Sequence, residues 1–167
     1  MTVTALKTPV MHPLKYWLPY HHARTLIAPN FTSLSLVALD ILKDMPRPTV
    51  QVCGSLSSGG KSMEENMKIF QQAIEHLCWN YYVFNQLPFE TKMQRMIGNR
   101  IIKSYPWDLM NEFYLPIFKS GRIEILFFLR GWEKSTGANW EHEQAKLLKI
   151  PIRYLDDNFQ IHMMPLN

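Results

Sequence analysis

From residue 49 onward, short apolar runs alternate with segments whose apolar residues recur at helical spacing. Strands that are joined through a helix run parallel, because the crossover returns the chain to the same end of the sheet. A parallel sheet needs helices on both faces to bury it. The alternation therefore predicts an α/β domain: a Rossmann-like or flavodoxin-like three-layer sandwich with a parallel sheet of about five strands.

Apolar, β-branched or aromatic runs indicate the strands. Val50 and Val52 mark the first run, and three others follow it: NYYVFNQL (80–87), RIEILFFL (122–129) and IPIRYL (150–155). Helices are predicted over 61–79, over 88–104 and from about Trp107 with a disturbance at Pro116, and residues 135–149 are predicted as a loop followed by a helix.

Residues 1–48 differ from the rest, since they hold six of the eleven prolines and proline interrupts regular structure. One stretch, 32–44, contains neither proline nor glycine and offers Thr32 or Ser33 as a helix N-cap. The sequence thus predicts a proline-rich N-terminal extension with one helix over 1–48, followed by an α/β domain over 49–167.

Composition sets limits on function. A net charge of +4 tolerates an anionic ligand such as a nucleotide, but no basic run is present, so we expect no direct nucleic-acid binding. Cys53 and Cys78 lie in apolar segments without metal-site spacing, which is typical of reduced core cysteines in a cytoplasmic protein. No long apolar stretch predicts a membrane span. We expect neither a metal nor a cofactor.

The glycine-rich loop GSLSSGGK between the first strand and its helix is one candidate site. Small residues let a backbone approach an anion, and the amide groups at a helix start favour negative charge. Its spacing fits neither a Walker A loop nor GxGxxG, and a flexible connection without a ligand explains it equally well. The candidate substrate-binding residues of this loop are Gly54, Ser55, Ser57, Ser58, Gly59, Gly60 and Lys61.

Glu141, in the sequence GWEKSTGANWEHEQA, is the second candidate. Its predicted place is the first turn of the last helix, where the helix dipole would keep the carboxylate ionised. By position alone, an ordinary helix-start glutamate is the better interpretation. His142 is typical of a surface or packing histidine, and Trp132 and Trp140 are more typical of a core than of a substrate platform.

Four segments together resemble the nucleoside 2-deoxyribosyltransferase superfamily: CGSLSSGG, EENMKIFQQAIEHL, ILFFLRGWEKS and GANWEHEQA. The match is best to a branch common in phages and bacteria, and it covers residues 50–155. The glycine loop also looks like that of the deoxynucleoside 5′-monophosphate N-glycosidases, where it holds the 5′-phosphate. The first 48 residues lie outside the resemblance.

The resemblance implies that Glu141 is a nucleophile, which attacks the anomeric carbon of a 2-deoxyribosyl group as the base departs. It also implies a homodimer or a larger homo-oligomer in the cytoplasm (that of the host, if the chain is phage-encoded). Where related enzymes have an aspartate, this chain has Pro116; either another residue such as Glu112 or Asp108 replaces it, or the protein performs different chemistry. The further substrate contacts that the resemblance implies are Asn85, Trp132, Ser135, Gly137 and Asn139.

Three hypotheses follow for the function. The first is an enzyme that cleaves or exchanges the N-glycosidic bond of a deoxynucleoside or its 5′-monophosphate. The second is a module that binds or sequesters a nucleotide without cleaving it. The third is an interaction protein that docks through residues 1–48. The sequence identifies neither the base, nor the phosphorylation state, nor whether water or a second base accepts the sugar.

Overall fold

A five-stranded sheet organises the chain in the computed structural model, which describes residues 8–57, 59–101 and 104–166. The strands are β1 (Thr49–Cys53), β2 (Tyr82–Val83), β3 (Ile123–Leu129), β4 (Ile152–Leu155) and β5 (Ile161–His162). The helices are α1 (Pro19–Ile27), α2 (Phe31–Asp44), α3 (Met63–Leu77), α4 (Leu87–Gly98), α5 (Trp107–Leu109), α6 (Leu115–Lys119) and α7 (Thr136–Leu147). A π-helical turn, Met110–Tyr114, joins α5 to α6, and a 3-10 turn, Trp132–Lys134, precedes α7.

The strand order is β2-β1-β3-β4-β5, with β1 and β3 at the centre of the sheet. Strands β2, β1, β3 and β4 run parallel, as the alternation of strands and helices predicted. Every residue of β1 is buried, which explains why this strand has an uninterrupted apolar and small-polar sequence. In the sheet, β2 lies on one side of β1 and β3 lies on the other, so the strand order reverses at β1.

The fifth strand corrects the prediction of a parallel sheet, because β5 runs antiparallel to β4 and makes the sheet mixed. Only five residues separate the two strands, too few for a crossover connection. Asp156 holds this turn: its side chain accepts hydrogen bonds from the backbone N–H groups of Asn158 and Gln160, both at 2.9 Å. Phe159 turns the chain with a φ of +59°.

The N-terminal extension contains two helices where one was predicted. The predicted helix is α2, and its N-cap is Asn30, whose side-chain oxygen accepts a hydrogen bond from the N–H of Ser33 at 2.8 Å. Thr32 and Ser33 lie inside the helix. The additional helix α1 begins at Pro19, where a proline is tolerated because the first-turn N–H groups have no partner within the helix.

Side chains of the extension pack into the same buried cluster as the sheet. The indole N–H of Trp17 donates to the backbone oxygen of Asn85 at 2.9 Å, and α2 contacts the π-helical turn and α6. The backbone N–H of Met11 donates to the oxygen of Cys78. None of the helices in the described ranges is both long enough and apolar enough to cross a membrane.

Pro116 disturbs the helical segment 107–119, as predicted, by widening the turn before it. Proline has no N–H to donate to the carbonyl four residues back, and its ring clashes with that carbonyl. The N–H of Leu115 instead donates to the carbonyl of Met110, five residues back, which is the π-helical pattern. The wide turn carries Phe113 and Tyr114 into the interior and leaves Glu112 exposed.

Candidate functional site

A cleft of about 680 Å³ lies beyond the carboxyl ends of β1, β3 and β4. Strand order reverses between β1 and β3, and in parallel α/β sheets ligands bind at such a point. The walls of the cleft come from the glycine loop, from the chain after β3 and from the turn after β4. Residues of these three segments that line the cleft are Ser55, Gly59, Lys61, Arg130, Gly131, Glu133, Lys134, Asp156 and Asp157.

The glycine loop has the strand–loop–helix geometry that the sequence predicted. Gly59 and Gly60 adopt φ values of +85° and +84°, a conformation that side chains disfavour. The loop ends in a capping box: the Ser62 hydroxyl accepts from the N–H of Glu65, whose carboxylate accepts from the N–H of Ser62 at 2.7 Å. The capping box thus satisfies the N–H groups of Ser62 and Glu65 at the start of α3.

The predicted loop residues occupy different positions. Ser55, Gly59 and Lys61 line the cleft, whereas Ser57 and Gly60 are exposed outside its lining. Gly54 packs against β3: a Cβ at this position would lie 3.1 Å from the Leu129 side chain. Ser58 lies outside the described residues.

Charges of both signs face the cleft. Arg130 pairs with Asp157 at 3.0 Å, and Asp156 contacts His162 at 2.9 Å in addition to holding its own turn. Lys61 and Lys134 supply two further cations. Asp156 and Asp157 are engaged in these contacts, whereas the exposed carboxylate of Glu133 also lines the cleft, so the two lysine ammonium groups face an anion beside one further acidic side chain.

Glu141 lies deeper in the protein than the sequence predicted. Helix α7 begins at Thr136, and the Ser135 hydroxyl caps it by accepting from the N–H of Ala138 at 3.2 Å. Glu141 is therefore the sixth helical residue, beyond the first turn where the dipole acts most strongly. The expectation of a first-turn position is wrong, and burial opposes the ionised carboxylate that was expected with it. Its side chain is 6% exposed, and burial raises the pKa of Glu141 to about 8.

Four titratable side chains interact with Glu141, and together with it they form what we call the carboxyl cluster: Cys53, Glu90, Tyr105, Tyr114 and Glu141. The Cys53 thiol hydrogen-bonds to Glu141, which opposes the effect of burial on the Glu141 pKa. Glu90 is 4% exposed, and burial raises its pKa to about 7 although hydrogen bonds with Gln94 and Tyr114 lower it. In the described part of the chain, no lysine or arginine forms an ion pair with either glutamate.

Tyr105 and Tyr114 complete the carboxyl cluster. Burial, followed by the nearby Glu141 charge, raises the pKa of Tyr105 to about 12. Burial also raises the pKa of Tyr114 well above its ordinary value, and the carboxyls of Glu90 and Glu141 add to that effect. The Tyr105 hydroxyl lies over Gly137, where an added Cβ would approach it to 2.6 Å. Because Gly137 precedes Glu141 by one helical turn, Tyr105 covers the face of α7 that bears Glu141.

Sequence reasoning missed Glu90, Tyr105 and Tyr114 and assigned Cys53 to the core. A signal for Glu90 was present: it lies three residues from both Leu87 and Met93, on the apolar face of an amphipathic helix. A carboxylate in such a stripe is unusual. The buried position of Tyr114 depends on the π-helical turn. No local sequence pattern predicts that Tyr105 lies close to Gly137.

The remaining predicted contacts after β3 have structural partners. The side-chain amide of Asn139 donates to the carbonyls of Glu133 and Ser135, at 2.7 and 2.8 Å, and so holds the 3-10 turn against α7. Trp132 is buried and stacks on His142 with ring centroids 4.2 Å apart, which makes His142 a packing residue. The indole nitrogen of Trp132 is buried without a hydrogen-bond partner among the described residues.

Two other predicted residues lie away from the cleft lining. Asn85 is buried, and its side-chain oxygen accepts from the N–H of Leu87 at 3.0 Å, where α4 begins. Glu112, predicted as a replacement acid, is exposed and accepts a hydrogen bond from the Thr32 hydroxyl of α2 at 3.3 Å. Asp108 is engaged in a two-point ion pair with Arg100.

The cleft and the carboxyl cluster are adjacent along β1 but distinct. Cys53 of the cluster is followed by Gly54 and then by Ser55, which lines the cleft. Glu141 is not among the described residues that line the cleft. Across the described ranges, no group of three or more histidine, cysteine or acidic side chains is arranged to hold a metal ion.

Comparison of the chain with protein-family models, with curated proteins and with solved structures found no match in any of the three.

Proposed function

We propose that the protein binds a deoxynucleoside 5′-monophosphate and cleaves or exchanges its N-glycosidic bond, with Glu141 as the nucleophile. The observation that carries the proposal is the burial of Glu141 and Glu90 beside an anion-compatible cleft at the end of β1. Burying carboxyl groups without basic partners costs stability, and strongly shifted pKa values concentrate at functional sites. Membership of the nucleoside 2-deoxyribosyltransferase superfamily and a homo-oligomeric state are parts of the same proposal.

The fold supports this location. If both crossovers have the usual right hand, α3 covers one face of the sheet and the helices between β2 and β3 cover the other. We infer on this basis a doubly wound, three-layer arrangement of Rossmann-like or flavodoxin-like type. In the flavodoxin-like order, which the first four strands share, the ligand lies between β1 and β3.

The two parts of the site suit the two ends of a nucleotide. The phosphate would lie against the N-terminus of α3, with Lys61 and Lys134 as countercharges. The sugar would extend toward Glu141, whose oxygen would attack C1′. A 2-deoxy sugar lacks the electron-withdrawing 2′-hydroxyl, so its oxocarbenium-like transition state forms with one well-placed carboxylate. This reaction requires Glu141 to lose its proton and Tyr105 to move from above α7.

Base release from deoxynucleotides tests the proposal. Purified protein is incubated with the common deoxynucleosides and their 5′-monophosphates, and free base is followed by chromatography. We expect release or exchange by the wild type and none by Glu141→Gln, which preserves the shape of the side chain. A cooperative thermal unfolding transition in each protein would confirm that both are folded. Absence of release from every compound would contradict the enzymatic proposal.

A specific observation favours a second candidate, a nucleotide-binding protein without catalysis. Glu141 is 6% exposed, mostly protonated at neutral pH and outside the described lining of the cleft. Such a carboxyl can be a core residue while the cleft binds a phosphate by itself. A thermal shift with deoxynucleotides that persists in Glu141→Gln, without turnover by the wild type, would select this candidate.

A further inference from the structure

The cleft follows one face of α3, where Asn66, Ile69 and Gln72 line it at intervals of three residues. An α-helix rises about 1.5 Å per residue, so Asn66 and Gln72 lie about 9 Å apart along its axis, which is the scale of a mononucleotide. Phe159 also lines the cleft, and its ring centroid is 5.8 Å from that of His76, one turn beyond Gln72. An aromatic ring thus lies at the end of the cleft away from the N-terminus of α3.

The backbone at Phe159 has a conformation that a phenylalanine disfavours. Phe159 is the last of the three loop residues between Asp156 and Gln160, and its φ is +59°. The N–H of Asp156 donates to the carbonyl of Gln160 at 3.1 Å, and the N–H of Phe159 donates to the carbonyl of Asp156 at 2.9 Å. Glycine or asparagine occupies the last position of such a loop at little cost, whereas a bulky residue there is an outlier. Outliers of this kind persist where the surrounding structure holds them, and they concentrate at ligand-binding sites.

The side chain of Asp156 holds this loop in place. One of its carboxylate oxygens accepts from the N–H groups of Asn158 and Gln160, both at 2.9 Å, and the other lies 2.9 Å from Nε2 of His162. Side-chain and backbone hydrogen bonds therefore fix the loop together, and they position the ring of Phe159 at the cleft. A ring that is already positioned loses little conformational entropy when a ligand stacks on it.

The two ends of the cleft differ in chemistry. Lys61, which precedes α3, offers an ammonium group to an anion. At the other end, Phe159 is half-buried and keeps part of its ring open to the cleft. A ligand that suits both ends is anionic at one end and planar at the other. The bases of nucleotides stack on aromatic side chains, and this stacking tolerates different bases because each base has a π-face.

We infer that Phe159 is the platform on which the base of the bound deoxynucleotide stacks. This inference rests on the nucleotide binding of the proposed function, and it names the residue that the base contacts. It requires the ring and its fixed position, and it does not require that the N-glycosidic bond is cleaved.

The position of the platform also suits the proposed reaction. Helix α7, which carries Glu141, contacts α6, whereas Phe159 lies beside α3. If the crossovers are right-handed, α3 and α6 cover opposite faces of the sheet. A base on Phe159 would therefore leave C1′ between the base and Glu141. A carboxylate nucleophile needs this arrangement, because it attacks the anomeric carbon from the side opposite the leaving base.

Binding of a nucleotide and of its base-free part tests the inference. Calorimetry measures the affinity for the four common deoxynucleoside 5′-monophosphates and for 2-deoxyribose 5-phosphate, with Glu141→Gln in every protein so that no nucleotide is consumed. Phe159→Asn suits the positive φ but removes the ring, so it should weaken nucleotide binding about 10-fold or more and leave binding of 2-deoxyribose 5-phosphate unchanged. Phe159→Tyr keeps the ring and should retain both affinities. Trp79→Ala removes an exposed aromatic side chain outside the cleft lining, and it is the matched control.

Several results would overturn the inference. Unchanged nucleotide affinity in Phe159→Asn would show that the base lies elsewhere, and equal losses for both ligands would show that the loop shapes the phosphate end. An equal loss in Trp79→Ala would show that the effect is not specific to the cleft. If Phe159→Asn does not fold, Phe159→Leu replaces it with the same expected results.

The protein without a substitution at Phe159 separates this inference from the proposed function. Binding of 2-deoxyribose 5-phosphate as tightly as every nucleotide would overturn the base platform alone. Binding of none of these ligands would contradict the nucleotide site of the proposed function as well, so the two failures are distinguishable.

Discussion

The cleft and the carboxyl cluster meet at the end of β1, yet the charged groups of the cleft are solvated and the carboxyl groups of the cluster are buried. In the cleft, every charged side chain reaches water, and Arg130 and Asp157 form an exposed pair. In the cluster, Glu90 and Glu141 are withdrawn from water, and neither forms an ion pair among the described residues. Charge in the cleft is thus inexpensive and adaptable, whereas charge in the cluster is costly. The cleft is therefore a surface that can bind an anion, whereas in the cluster the protonation state of a buried carboxyl group affects stability.

The largest expected effect is on the pH dependence of stability, through the contribution of the buried carboxyl group of Glu141 in the cluster. Burial raises the folded-state pKa of Glu141 from about 4.5 to about 8, so the folded protein binds more protons than the unfolded chain between these values. The contribution of Glu141 to the free energy of unfolding should therefore decrease as pH rises from about 4.5 through about 8. We expect Glu141→Gln to be more stable than the wild type at pH 9, by on the order of a few kcal/mol.

Urea denaturation of both proteins at pH 5, 7 and 9 measures this effect. The advantage of Glu141→Gln should shrink at pH 5, where the wild-type carboxyl is already neutral in the folded state. A stability difference that is the same at every pH would show that Glu141 is ionised or solvated in the folded protein.

The next largest effect on stability is expected at Gly137, where the Tyr105 side chain lies over α7 and the cluster. Gly137→Ala places a Cβ within 2.6 Å of the Tyr105 hydroxyl, so either the tyrosine or α7 must shift. We expect a loss of about 1–3 kcal/mol in the free energy of unfolding, which is typical of overpacking. Tyr105→Phe removes the clashing oxygen, so the double variant should recover most of the loss. Additive losses in the double variant would mean that Tyr105 does not lie over Gly137 in solution.

A smaller effect is expected at the helix caps, which serve the two regions equally. Ser135→Ala removes the hydroxyl that caps α7 in front of the cluster, and Ser62→Ala removes the cap of α3 in front of the cleft. Each change should cost about 1 kcal/mol in chemical denaturation. Ser135→Asp should retain most of the stability of the wild type, and a full loss in that variant would contradict the capping role.

Variants of the cleft should change affinity and leave stability alone. Lys61 is exposed and carries one of the two ammonium groups offered to a phosphate. Lys61→Ala should weaken binding of a deoxynucleoside 5′-monophosphate about 10-fold, measured by calorimetry at fixed ionic strength, with less effect on the nucleoside. Lys68, on α3 outside the cleft lining, is the matched control. Equal effects of the two substitutions would place the phosphate elsewhere.

Some elements of the fold could be predicted from the sequence and others could not. Periodicity and strand propensity predicted β1, α3, β3, α7 and β4, because their local preferences and their burial agree. The antiparallel β5 was not predicted, since a two-residue strand has no pattern of its own and depends on the turn that Asp156 holds. Helix α1 was missed because Pro19 was taken as an interruption although it begins the helix.

For the candidate site, the sequence predicted the glycine loop well and the surroundings of Glu141 poorly. Loop conformation follows from Gly59, Gly60 and the Ser62 cap, all of which are local. The environment of Glu141 is assembled from β1, α4 and the π-helical turn, which are far apart in sequence. The position of Glu141 in the helix was misjudged for a local reason: Ser135 provides the cap, so α7 begins at Thr136, earlier than expected.

Trapping the covalent intermediate tests the central claim most directly. The wild type is mixed with a deoxynucleoside 5′-monophosphate, quenched with acid within milliseconds to seconds, digested and examined by mass spectrometry. The account predicts a deoxyribosyl phosphate adduct on the peptide that contains Glu141, and no adduct in Glu141→Gln. Release of free base at an undiminished rate by Glu141→Gln, or an adduct on a different side chain, would contradict it.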